Sequence, residues 1–287
     1  MEVIVRKIRQ LDTGVRVAIL IVAAIAVVVA TAVQPPIHQP ASYHRFADHR
    51  SWLGIPNFMD VVSNLGLLIG GAMGVAFLLS SKSRRGWRFT DPRERWLYLV
   101  VFIGVILTCF GSIYYHWNPN NETLVWDRLP MTLIFTSLLA AIVAQRISVQ
   151  GALFMEVFLV PIGLCTVIYW AIGATHGGGD LRYYLLVQIL PIFGIPLILA
   201  FFAPRYTGNK NLGYVLLFYV LAKICELLDR QIYAAGHLIS GHTWKHIFSA
   251  VAAYYLVRML KTRKALMMPD DVLVVENPSS PIPLSRV

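Results

Sequence analysis

The sequence predicts an all-α integral membrane protein, a core of seven transmembrane helices with one additional N-terminal transmembrane helix. Three observations predict it. Of 287 residues, 57% are hydrophobic and 14% charged, and the mean hydropathy is +0.62, well outside the usual composition of soluble domains. Eight apolar runs divide the chain, each near the length that crosses a bilayer. Lysine and arginine gather in alternate connecting segments, as the positive-inside bias requires. No run shows the period-2 alternation of a transmembrane β-barrel. The formal charge of +10 then reflects topology, and no nucleic acid partner is expected.

Residues 1–34 form the first unit: a basic cytoplasmic N-terminus with Arg6, Lys7, Arg9 and Arg16, followed by the apolar run 17–33. At ~1.5 Å per residue this run just crosses about 30 Å of hydrocarbon, and it exceeds the roughly 7–15 residues of a signal-peptide core. It is expected to stay as an anchor, although Ala30-Thr31-Ala32 resembles a cleavage site. Residues 35–60, interrupted by Pro35, Pro36, Pro40 and Pro56, read as an extracytoplasmic loop. The core, 61–262, holds apolar runs at about 61–79, 96–115, 129–144, 153–174, 183–202, 212–233 and 243–260. Residues 263–287, with Pro269, Pro278, Pro281 and Pro283, read as a disordered cytoplasmic tail. Cys109, Cys165 and Cys225 all lie inside apolar runs and are expected to pack there, not to form disulfides.

With the N-terminus inside, eighteen of the 25 lysines and arginines fall on the inner side, six on the outer, and Lys223 within a run. Both termini are then cytoplasmic. Five polar residues collect at outer ends of three runs. Ser112 and His116, four apart, share a helix face. Asn118-Pro119 ends that helix, and Asp127 heads the next run. Near the C-terminus, His242 and His246 repeat the i, i+4 spacing within 241–246, GHTWKH.

Three histidines from two helices make the ligand set of a catalytic zinc that keeps a position open for water. Asp127 would orient that water or take its proton, and Ser112 would donate to the developing oxyanion. A histidine at a helix end is more often a hydrogen-bonded interfacial residue, and H-x-x-x-H alone is a weak signal. The coincidence at one membrane depth favours the metal, because polar groups there are costly and usually functional. Lys223, Glu226, Asp229 and Arg230 recur at helical spacing and read as an internal salt-bridge network on the seventh core helix, with a transporter's proton relay as the competing reading. No inverted repeat supports transport. A bis-histidine haem is disfavoured, because an i, i+4 pair suits one compact ion.

Ser63-Asn64, the G-S-x-x-x-H of Gly111 to His116, the D-x-L-P-M of Asp127 to Met131, and the late H-x-x-x-H occur in an order that resembles the alkaline ceramidase family. That family belongs to a superfamily of seven-helix membrane hydrolases that includes the adiponectin and progestin receptors. The resemblance covers roughly residues 57–260. It implies zinc (Zn2+) held by His116, His242 and His246, with Ser112 and Asp127 beside the metal-bound water. The implied reaction is hydrolysis of a linear amide C–N bond, cleaving ceramide or a related membrane lipid to a long-chain amine and a fatty acid. Arg128 departs from the family, which usually has an acidic residue there, and 35–60 lacks the glutamates of the family's calcium-binding segment. The basic loops and the GHTWKH stretch resemble bacterial members. A bacterial member would sit in the inner (cytoplasmic) membrane with its active site toward the outer face, and its substrate would be ceramide or another lipid amide. A lipid-binding receptor-like protein or a transporter, neither with turnover, is the alternative.

Overall fold

Apolar runs that lack β-alternation fold here as helices. The computed structural model describes residues 2–84 and 88–266. Among them are α1 (Glu2–Arg9), α2 (Thr13–Ala32), α3 (Phe58–Val62), α4 (Leu65–Leu79), α5 (Glu94–Trp117), α6 (Asn121–Arg146), α7 (Val149–Thr175), α8 (Arg182–Phe201), α9 (Lys210–Leu227), α10 (Asp229–Gly236) and α11 (Gly241–Thr262). Extended pairing among the described residues is limited to two isolated bridges.

Six of these units are long and apolar enough to cross a membrane: α2, α3 with α4, α5, α6, α7 and α8. The pair α9 and α10, bent by 77° at Leu228, makes a seventh if counted as one span. The sequence predicted eight. The difference lies in α11, whose 22 residues would reach roughly 33 Å but include His242, Lys245, His246, Arg258 and Lys261.

The bundle is built by α5 along α6, α6 along α7, and α11 between α9 and α4. Leu78, Tyr98, Phe102, Ile142 and Leu260 sit in its largest apolar cluster. By contrast α2 buries no residue and leans on α8, with Ile21, Val22, Ile25 and Val29 exposed. An apolar helix with no buried face needs a lipid surround or a partner. Loop 35–60 is tied down: the Leu181 amide donates to the Ile37 carbonyl at 2.9 Å, and Arg50 Nη2 to the Leu238 carbonyl at 2.6 Å.

Two helix boundaries differ from the sequence reading. The sixth helix starts at Asn121, well before the apolar run at 129, because Asn120 supplies the cap: its Oδ1 accepts the Glu122 and Thr123 amides at 2.9 and 3.0 Å. Asp127 therefore lies about two turns inside α6 instead of at its head. The run 212–233 is likewise not one helix, and its Asp229 opens α10.

At the end of the bundle away from the histidines, Glu94 and Arg263 are both fully buried. Arg263 Nη2 lies 3.2 Å from Glu94 Oε2, Nη1 3.3 Å from Gln145 Oε1, and Nε donates to the Arg88 carbonyl at 2.6 Å. The guanidinium lies 4.1 Å from the ring centroids of both Phe89 and Tyr206. Glu94 Oε1 also accepts the Tyr206 hydroxyl at 2.8 Å. Arg263 is the first residue of the expected tail; 267–287 lie outside the described residues. Breaking a buried pair leaves an uncompensated charge. Arg263→Met is expected to lower unfolding free energy by about 3–5 kcal/mol in detergent denaturation, with Glu94→Gln added to it recovering most of the loss.

Candidate metal centre

The fifth and sixth helices meet at backbone contact. A Cβ at Gly111 would overlap the Trp126 carbonyl and sit 3.0 Å from the Asp127 amide nitrogen, so only glycine permits the approach. That contact brings Ser112 beside Asp127, and both are buried. One turn on from Ser112, His116 closes α5 in the bundle interior.

The third element, α11, begins where the chain turns back after α10. Ser240 caps it, its Oγ accepting the Thr243 amide at 3.0 Å. Asp229 Oδ1 accepts the His242 amide at 2.8 Å, and its Oδ2 the Ala47 amide at 2.9 Å. Asp229 is thus a backbone anchor for two segments and takes no part in an ion pair among the described residues, unlike the network the spacing suggested.

His116, His242 and His246 come together as predicted, buried, with ligand nitrogens all within 4.8 Å of one another. His116 Nε2 and His242 Nε2 are 3.3 Å apart. His246 Nδ1 lies 2.8 Å from Ser63 Oγ, which is also 3.2 Å from the Asp60 carbonyl. Asn64 Nδ2 also lies 3.3 Å from Nδ1; in the tautomer that carries its proton on Nδ1, Ser63 Oγ accepts that proton and the ring presents its Nε2 lone pair inward. His246 Nε2 is buried and has no hydrogen-bond partner. A proton shared between His116 and His242 would leave that nitrogen unmatched, whereas one cation would satisfy all three. The donor set therefore fits a metal ion.

Further residues hold the histidines in place. Asp60 Oδ1 accepts the Thr243 hydroxyl at 2.6 Å and the Ser240 hydroxyl at 3.2 Å, locking the start of α11 to α3. Asn57 Nδ2 donates to the His116 carbonyl at 2.8 Å. Phe46, from the 35–60 loop, packs its ring 4.6 Å from that of His116 and 4.8 Å from that of His242. It covers the histidines on that side.

Beside them lies a cavity of about 220 Å³, bounded by Tyr43, Asp127, Arg128, Tyr184, Glu226 and Lys245 among others. Lys245 Nζ pairs with Glu226 at 2.9 Å and lies 3.3 Å from His242 Nε2. Lys223 pairs with the second Glu226 oxygen. Of the salt-bridge network read from the sequence, Lys223 and Glu226 hold together, while Lys245 replaces Asp229. Tyr43 reaches Glu226 at 3.5 Å; burial, then the Glu226 charge, pushes its hydroxyl above the usual phenol range, so it faces the cavity as a neutral donor.

Sequence reasoning named the three histidines, Ser112 and Asp127, and quoted Ser63 only within a motif. It missed Lys245 as a partner of Glu226, although its position between two histidines was a signal. For Phe46 and Tyr43 there was none: an aromatic residue in a proline-broken loop has no periodicity to read.

A family model described as Ceramidase matches residues 53–271. No curated protein matches the chain. The matched region takes in α3 through α11 and every residue of the histidine cluster, and leaves out α1 and α2.

Removing a ligand should abolish binding, while loosening its support should only weaken it. His246→Ala is expected to lose the metal altogether by elemental analysis. Ser63→Ala is expected to keep it with affinity lowered about 10- to 100-fold in competition with a chelator. Equal affinity in Ser63→Ala and the parent would remove Ser63 from the centre.

Proposed function

The chain belongs to the ceramidase family, and on that premise we propose that it is a zinc-dependent membrane hydrolase cleaving the amide of ceramide or a related N-acyl lipid. The observation that carries this reading is the convergence of three buried imidazoles next to a largely apolar cavity to which Asp127 contributes a carboxylate. His116 Nε2 and His242 Nε2 are close enough, at 3.3 Å, for the two rings to share one ion, and an all-imidazole donor set suits zinc. His116, His242 and His246 would hold the ion, which when bound supplies a Lewis acid and lowers the pKa of water to about 7.

The other steps belong to the side chains. Asp127 takes a proton from the attacking water as the new C–O bond forms, and gives it to the amide nitrogen as the C–N bond breaks, so that the amine leaves neutral and the acyl group departs as a fatty acid. Ser112, beside Asp127, donates to the oxyanion that develops on the amide carbonyl. Phe46 keeps bulk water off the histidines. Lys245, held by Glu226 at 2.9 Å, adds a cation beside the developing negative charge.

In the membrane this reading makes α2 an anchor, 35–60 an extracytoplasmic loop, and 61–262 a seven-span catalytic core in which α9 and α10 form one broken span and α11 the last. Both termini are cytoplasmic and the histidines lie toward the outer face, the orientation that the distribution of lysine and arginine favours; the membrane in this reading is a bacterial inner membrane. With the loop over the histidines, the lipid enters sideways, between helices that line the cavity, and its chains rest against Met131 and Leu185.

Purified protein added to a membrane lipid extract is expected to convert an N-acyl lipid to fatty acid and amine, read by mass spectrometry, with His116→Ala as the control. Binding of the same lipid with no product would favour a receptor-like role. Asp127→Asn is expected to retain about one zinc per chain by elemental analysis, with kcat lower by roughly 10²- to 10⁴-fold, the range of general acid–base catalysis. Loss of zinc in that variant would make Asp127 a support of the metal instead of a proton carrier.

A further inference from the structure

Arg128 is the next residue along α6 after Asp127, and it is 6% exposed. Three aromatic rings enclose its guanidinium, with centroids at 4.4 Å for Trp170, 5.0 Å for Tyr184 and 5.6 Å for Tyr43. Nη2 donates to Gln39 Oε1 at 2.5 Å. Nη1 is buried without a hydrogen-bond partner. The residue lines the cavity next to the histidines, the space a substrate would fill, while Nη1 itself lies in the wall beneath that surface.

Neither carboxylate of that cavity makes an ion pair with it among the described residues, although Asp127 lies within reach of its charge. Glu226 is shared by Lys223 and Lys245, Asp127 sits with Ser112, and no ion pair among the described residues includes Arg128. The walls thus carry three cationic side chains, Arg128, Lys223 and Lys245, and two carboxylates, Asp127 and Glu226. Of the three, Lys223 is half-exposed and can reach solvent, whereas Arg128 cannot. A buried cation with an idle N–H is costly unless an acceptor completes it. The aromatic cage fixes the guanidinium plane, and a fixed guanidinium fork matches an oxyanion.

We propose that the preferred substrate is an N-acyl lipid whose head carries an anionic oxygen group close to the amide, and that Arg128 binds that group. This rests on the amide-hydrolase reading above. The class includes a carboxylate, a sulfonate or a phosphate, since all three present the same paired oxygens. The amide then lies between Arg128 and the histidines, on the side where Asp127 faces the leaving nitrogen.

The test uses a matched pair, N-palmitoylserine and its methyl ester, which differ in the carboxylate and not in the amide or the chain. Detergent-solubilised full-length protein is assayed for palmitate release and, separately, for binding of each lipid by native mass spectrometry. The acid is expected to exceed the ester by about 10- to 100-fold in kcat/KM and in affinity, the range for a hydrogen bond to a charged group. Arg128→Gln should bring both ratios close to one. Arg128→Lys, which keeps the charge but loses the fork, should fall between, and a melting temperature near the parent's shows each variant is folded. Ceramide 1-phosphate and ceramide repeat the comparison with phosphate as the anion. Equal handling of acid and ester by the parent protein overturns the proposal, as does an acid preference that survives in folded Arg128→Gln. Selective, Arg128-dependent binding without palmitate release would uphold the anion site and instead overturn the hydrolase reading.

Discussion

Three imidazole nitrogens are held within one small buried space, and most of the polar structure at this end of the bundle serves to keep them there. Neutral imidazoles brought that close with inward lone pairs repel one another and forgo the hydrogen bonds they would make in water. The arrangement is held from outside: the His246 ring by Ser63, the His242 backbone by Asp229 and the His116 backbone by Asn57. Those supports come from Ser63 at the end of α3, from α10 and from the end of the 35–60 loop, so the cluster depends on segments outside the two helices that carry the histidines. Gly111 adds the other requirement, because Asp127 reaches the site only where α5 and α6 touch at the backbone.

The two ends of the bundle solve the problem of buried charge in opposite ways. Around Glu94 and Arg263 the guanidinium's three nitrogens each meet an acceptor, aromatic rings cover its faces, and the charges balance. Such a closed network can rigidify a bundle and leaves nothing to bind. Arg128 has a similar aromatic enclosure yet keeps one donor unused, and it borders open space. Comparing the two arginines separates a structural cation from one suited to a ligand, using the same chemistry in each case.

The residues that lie on regular apolar helices were legible in the sequence. Apolar runs and their length pointed to the helices, and the i, i+4 spacing of His242 and His246 together with the G-S-x-x-x-H segment pointed to the three histidines that cluster. Helix boundaries were less legible, because capping competes with hydropathy. Asn120 starts α6 two turns before its apolar stretch, and the 212–233 run breaks at Leu228, which puts Asp229 at the head of α10 and against the start of α11. The loop contacts were not legible at all. Phe46 and Tyr43 reach the site through tertiary packing, and nothing in a proline-rich segment indicates which of its aromatic residues turns inward.

The break at Leu228 links these features. A continuous helix through 229 would have spent Asp229 on its own face; bent by 77°, the chain directs both Asp229 oxygens to backbone amides, one on the loop at Ala47 and one on α11 at His242. One carboxylate therefore ties the cover over the histidines to the helix that carries two of them. Any movement that lifts Phe46 pulls on the same side chain that positions His242. A wide opening of the loop would disturb the centre, whereas a gap between helices beside the cavity would leave the Asp229 contacts intact. In the reading proposed above, that coupling argues for lateral passage of a lipid substrate and against entry through the loop, and the bend between α9 and α10 is what lets one carboxylate reach both segments.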